Sequence, residues 1–312
     1  MAFDRGGTLA NMAGMQAPRP TALTGAEPDK AEAPFSLTRP VAGARATPLI
    51  FASPHSGRIY PASLMAASRL DSVAIRRSED AYVDDLIASA PSQGVTLLAA
   101  RMARAWLDVN REPWELDPAM FEDELPAYAK ASSARVAAGL GVIARSVGEG
   151  QEIYRRKLTF AEAAGRVEGV HRPYHAALAG LVRQTLHAHG VAVLIDWHSM
   201  PAAATPRTAD GGGDIVLGDR YGAAAAPAIT RRVEAELKAV GFGVTRNAPY
   251  AGGYTTQHYG RPAGKVHALQ FEVSRALYLD EATLLPTEGF TRLKADMERL
   301  IETLATIDWT KL

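Results

Sequence analysis

Short, nearly unbroken apolar runs constrain this chain more than any other feature. TPLIFAS (47–53), GVTLLAA (94–100) and GVAVLIDW (190–197) each end at a turn former or a polar cluster, and HALQFEVS (267–274) alternates enough to join them. Runs of this length bounded by such signals read as buried strands. RAWLDV (104–109) looks like a further strand. Between the runs, helical spacing predicts helices over 79–91, 152–188, 222–240 and 288–306. HRPYH (171–175) interrupts the second of these, and Gly190 suits its C-terminal cap. The Ala-rich AAAAPAIT (223–230) reads as a packed helix face. Strands alternating with helices predict an α/β fold with a mixed, largely parallel sheet flanked by helices. Functional groups of such sheets gather just beyond the carboxyl ends of the strands.

Residues 1–46 are rich in Ala, Pro, Gly and Thr without a sustained period, which predicts a flexible N-terminal arm followed by a single α/β domain over 47–312. Composition then narrows the function. The 34 Lys+Arg balance 34 Asp+Glu, so no electrostatic case exists for nucleic acid or an anionic membrane. No apolar run approaches the roughly 18 to 20 residues that span a bilayer. The N-terminus lacks the basic-then-apolar pattern of a secretory signal, so a cytoplasmic protein is expected. The chain has no cysteine, which leaves His, Asp and Glu as metal ligands.

Chemistry concentrates where the strands end. Ser53-Pro54-His55-Ser56-Gly57 follows the first run, Asp196-Trp197-His198-Ser199 follows the third, and Glu272 lies inside the fourth. A hydrolytic zinc site takes three protein ligands plus water, and two histidines with one carboxylate is the set this chain can best supply. Glu79-Asp80 with Asp84-Asp85 is the nearest acidic cluster for the third ligand. An ionised Glu272 in an apolar strand is costly and needs a cation, a metal or a proton nearby. Asn110-Arg111 sits at the exit of RAWLDV, and a guanidinium fork binds carboxylates bidentately. Pro249 to Gly260, with its Gly-Gly pair, tyrosines and hydroxyls, suits a loop closing over a polar ligand. HEXXH and a Walker A loop are absent, the glycines of 211–213 lack a strand-helix context, and no serine elbow occurs.

SPHSG (53–57), EDAYVDDL (79–86), LDVNREP (107–113), HRPYHAAL (171–178), DWHS (196–199), GGYTTQHYGRP (252–262) and HALQFEVSRALY (267–278) follow one another as in the N-formylglutamate amidohydrolases, which this chain resembles over roughly residues 47 to 300. The resemblance implies a zinc carboxypeptidase-like fold, a mixed eight-stranded sheet flanked by helices. It also implies hydrolysis of N-formyl-L-glutamate to formate and glutamate, at the end of histidine degradation. Carried onto this chain, it makes His55, Asp80 and His198 ligands of Zn²⁺ or another divalent metal, with Asp80 chosen over Glu79. Glu272 becomes the general base, and Asn110-Arg111 the pair that holds a substrate carboxylate. Ala81-Tyr82, Tyr254 and Arg275 depart from the family pattern where a side chain would be recognised, and Tyr254 or Arg275 is expected to bind the distal polar group. His175 and Tyr174 are expected to be structural. Two other readings stay open: a zinc hydrolase of another small-molecule N-acyl amino acid or amide, and a non-catalytic carboxylate-binding protein on the same scaffold.

Overall fold

In the computed structural model, which describes residues 33–206 and 213–312, the apolar runs become the centre of one sheet. The strands are β1 (Phe35–Thr38), β2 (Leu49–Ser53), β3 (Thr96–Ala100), β4 (Ala192–Met200), β5 (Ile215–Gly218), β6 (Val244–Arg246) and β7 (Val266–Ser274). They lie in the order β1-β3-β2-β4-β7-β5-β6. β3, β2, β4 and β7 run parallel, whereas β1 and β5 pair antiparallel with β3 and β7. The sheet is therefore mixed and largely parallel as expected, with seven strands among the described residues in place of eight. A separate hairpin joins β8 (Leu279–Asp280) to β9 (Leu285–Pro286).

The helices are α1 (Ala62–Ala67), α2 (Val83–Leu86), α3 (Ala134–Ala137), α4 (Phe160–Arg166), α5 (Arg172–His189), α6 (Pro227–Val240), α7 (Tyr254–Tyr259) and α8 (Gly289–Thr306). Side chains alternate across the sheet with period two and both faces are covered, which is why the strands read as continuous apolar runs. Ile50, Ala52, Leu194 and Ala268 face α5 through Tyr174, Leu178 and Leu181. Phe51, Ile195, Trp197 and Phe271 face α6 and α8 through Val233, Leu237, Met297 and Leu300. Among the described residues no helix is long and apolar enough to cross a membrane.

Several expectations change. Residues 1–32 of the expected arm lie outside the described residues, but 33–46 does not behave as an arm, because β1 pairs with β3 over Phe35↔Ala100 to Thr38↔Leu97. The backbone of Phe35–Thr38 completes the sheet edge, a gain that composition alone does not report. RAWLDV is a turn, not a strand: Trp106 and Leu107 donate back to the Ala103 carbonyl and Asp108 donates to Val142. The 79–91 segment breaks into α2 and short turns, because Asp80 N–H is drawn to the His55 carbonyl at 3.0 Å and Tyr82 takes a left-handed φ of 63°. HRPYH does not stop its helix. A π-turn over Val167–His171 links α4 to α5 and accommodates Pro173, which has no N–H to give. Gly190, at φ 72°, caps α5 as expected. α6 begins at Pro227, a favourable first helical position, so the preceding alanines stay outside it.

Candidate metal centre and active site

β2, β4 and β7 are neighbours, so their carboxyl ends bring His55, His198 and Glu272 together. His198 stands opposite Glu272 in the β4–β7 register. Residues 196, 198, 270 and 272 share the face that Ala192, Leu194 and Ala268 line further back, so one side of the sheet turns from apolar to polar toward its exit. α2's approach adds Asp80, and the turn after residue 103 adds Asp108 to Arg111.

Each histidine is gripped from behind. His55 Nε2 lies 2.7 Å from Asp108 Oδ1, and His198 Nε2 lies 2.9 Å from Asp196 Oδ2. A carboxylate only accepts, so each Nε2 carries the proton and each Nδ1 presents its lone pair. The two Nδ1 atoms stand 3.0 Å apart, with Asp80 Oδ2 at 3.3 Å from His55 and 3.1 Å from His198. All three residues are at most 3 % exposed. Converging acceptors at such separations repel unless a cation lies among them. A proton on His198 can play that part: burial opposes it, but Asp196 and Asp80 hold the imidazole pKa well above its ordinary value. Burial likewise opposes charge on Asp80, yet its bonds to His198 and His55 keep its pKa well below normal. A divalent ion fits the same two-nitrogen, one-oxygen set.

Asp80 is also held from behind, its Oδ1 accepting from Ser199 Oγ and Arg275 Nη2, both at 3.0 Å. Arg275 further donates to the Glu79 carbonyl at 2.8 Å and Ser199 Oγ at 3.0 Å, and it is 5 % exposed. It positions Asp80 and also lines the cavity at this centre. Glu79 points the other way, toward Arg76 Nε at 2.9 Å and Tyr60 OH at 3.0 Å.

Glu272 Oε1 accepts from Gln270 Nε2 at 2.6 Å, and burial pushes the carboxyl up to about 7. The Asn110 amide is engaged at both ends: Nδ2 donates to Asp196 Oδ2 at 3.1 Å and Oδ1 accepts from Thr255 N–H at 2.8 Å. It therefore braces the His198 side of the centre, at the wall of the same cavity. Gly253 makes the fit possible, since a Cβ there would stand 2.6 Å from Asn110 Nδ2. Arg111 spends Nε on the Leu140 carbonyl and Nη1 on its own neighbour Asn110, both at 2.9 Å, and turns its Nη2 side to Asp108 and the cavity. The expectation for Tyr254 is corrected. It lies in an aromatic group with His171, His175 and His258, outside the cavity that Tyr250 lines instead. As expected, His175 is structural: with His171 it grips the loop before the centre, their Nε2 atoms lying 2.7 Å from the Val109 carbonyl and 2.8 Å from that of Arg111.

The resulting cavity, ≈ 540 Å³, holds His55, Asp80, His198, Glu272, Arg104 and Arg111 along its wall. Sequence reasoning missed Arg104, whose Nε donates to Asp108 Oδ2 at 2.9 Å. It also gave no role to Asp108, Asp196 or Gln270. The spacing of Asp196 and His198 carried a usable signal, because residues two apart on a strand share a face.

The chain matches the N-formylglutamate amidohydrolase family over residues 47–279. It is 30% identical over 239 residues to the N-formylglutamate deformylase of Pseudomonas aeruginosa, covering 75% of this chain and 83% of that protein. It is also 30% identical over 251 residues to the Pseudomonas putida N-formylglutamate deformylase, covering 78% and 84%. Among solved structures it is similar to the N-formylglutamate amidohydrolase of Ralstonia eutropha JMP134, with a TM-score of 0.81, 37% identity and coverage of 88% and 98%.

Proposed function

Because this chain belongs to the N-formylglutamate amidohydrolase family, we propose that it hydrolyses N-formyl-L-glutamate to formate and L-glutamate with a divalent metal, zinc foremost, at His55, Asp80 and His198. Within this reading it acts in the cytoplasm as the closing step of histidine degradation. The observation that carries the chemistry is the convergence of two Nδ1 atoms and one carboxylate oxygen, each braced from behind by a partner that fixes its direction. A divalent ion held by His55, Asp80 and His198 would supply Lewis-acid chemistry, acidifying water toward a pKa of about 7 and polarising the amide carbonyl.

The protein's own groups supply the rest. Glu272 has Oε1 occupied by Gln270, which leaves Oε2 to take a proton from the attacking water and return it to the departing nitrogen. A carboxyl raised by burial is suited to both halves of that transfer. Arg104 lines the cavity, and among the described residues its Nη atoms have no hydrogen-bonded partner, so it can donate to the carbonyl oxygen as charge develops there. Arg111 takes the α-carboxylate with its cavity-facing Nη2 side.

Purified protein is expected to hold one divalent ion per chain and to release formate from N-formyl-L-glutamate. A sample with full metal occupancy and no formate release would remove the assignment. The orienting carboxylates give a second expectation. Asp196→Asn keeps the size of the side chain but removes the charge behind His198, so metal affinity should fall by about 10- to 100-fold. Competition against a chromophoric chelator measures it, and an unchanged affinity would mean that Asp196 does not tune the ligand.

A further inference from the structure

Arg275 is hydrogen-bonded to Asp80, and Tyr254 lies outside the cavity. Arg135, on α3, lines the same cavity. Its nearest carboxylate oxygen, Glu115 Oε2, is 3.9 Å away, beyond hydrogen-bond reach, and the other Glu115 oxygen is taken by Ser133 Oγ. Its side chain is 34 % exposed. Among the described residues this guanidinium has no hydrogen-bonded partner.

Arg135 shares the cavity wall with Arg104 and Arg111. Burial opposes charge on Arg104, but Asp108, Asp80 and Glu272 act on it and hold its pKa above normal, which puts it at the metal end. On Arg111 burial lowers the pKa, Asp108 and Glu115 resist, and Arg104 and Arg135 add like-charge repulsion. Of the carboxylates near this wall, Asp108 is already bonded to His55, Arg104 and the Asn110 N–H, and Glu115 to Ser133. Glu115 is the carboxylate beside Arg135, but with one oxygen on Ser133 and the other 3.9 Å away it leaves the guanidinium able to donate to an arriving carboxylate.

The geometry points to Arg135 as the residue that recognises the distal carboxylate of an acidic N-acyl amino acid, selecting glutamate-like substrates over neutral ones. This rests on the N-formylglutamate reading above. In that substrate the α-carboxylate sits one carbon from the scissile nitrogen and the γ-carboxylate lies further along the side chain. Arg111 then serves the first and Arg135 the second. A neutral side chain would offer Arg135 no charge-assisted hydrogen bond.

The test compares N-formylglutamate with its neutral isostere N-formylglutamine in the metal-loaded wild-type, Arg135→Gln and Arg135→Lys proteins. Wild type should favour N-formylglutamate in kcat/KM. Arg135→Gln should collapse that preference by about 10- to 100-fold, mainly through KM, the size expected for one charge-assisted hydrogen-bonding group. Arg135→Lys should recover part of it. Melting temperature separates this from loss of a structural Arg135–Glu115 contact, which would lower stability and penalise both substrates alike. A preference retained within about twofold in Arg135→Gln overturns the assignment while leaving the N-formylglutamate reading intact. Failure of the wild type to hydrolyse N-formylglutamate overturns both.

Discussion

Glu272→Gln should lower kcat by about 10²- to 10⁴-fold while the protein keeps its full complement of metal. The substitution preserves the size of the side chain and its place beside Gln270, but it removes the oxygen that accepts a proton. Glu272 is 6 % exposed and has no salt-bridge partner within 4.0 Å among the described residues, so no direct ion pair accounts for its place in the strand. Arg275 in particular is turned to Asp80 and the Glu79 carbonyl. Replacing a carboxyl that burial raises to about 7 with a neutral amide relieves desolvation above that pH, so the variant should melt no lower than the parent at pH 8. The sign follows from linkage: a folded pKa above the unfolded value destabilises the fold once pH rises past the unfolded value, and Gln removes that penalty. The decisive measurements are kcat, metal content and melting temperature on one preparation. Near-normal kcat at full metal occupancy would exclude Glu272 as the base.

Stripping the metal should have an effect at least as large. Dialysis against a strong chelator should reduce formate release by about 10³-fold or more, since Lewis-acid stabilisation contributes several kcal/mol to the barrier. Adding back one equivalent of zinc should restore it. The melting temperature should fall with the metal, because an ion that binds only the folded chain stabilises it by about 4 kcal/mol when free metal stands roughly a thousandfold above Kd. The fold itself should survive. The braces behind the centre, Asp108 on His55 and Asp196 on His198, are protein–protein bonds that need no ion, and a proton on His198 can occupy the gap between the acceptors. Activity unaffected by complete metal removal would sink the proposed chemistry, whatever the fate of the fold.

Much of the architecture was legible in the chain. Apolar runs of strand length, interrupted by helical spacing, determined the parallel centre of the sheet, since residues buried on both faces leave no polar alternation. The polar residues closing those runs determined where chemistry would gather, because a strand's exit is where its side chains reach solvent or a ligand. His55, His198 and Glu272 follow directly, and Asp80 joined them through the family resemblance. Tertiary structure decided what the remaining polar groups are free to do. Glu79 and Asp80 are adjacent, yet one faces Arg76 and the other the two imidazoles. Asn110 is spent on Asp196 and Thr255, and Arg275 on a carbonyl and a carboxylate nearly two hundred residues away. Local sequence sets which donors and acceptors a side chain carries, and burial then requires each to find a partner. Which partner arrives first depends on segments far along the chain, so only the folded arrangement separates a guanidinium held in place, such as Arg275, from one left open to a ligand, such as Arg135.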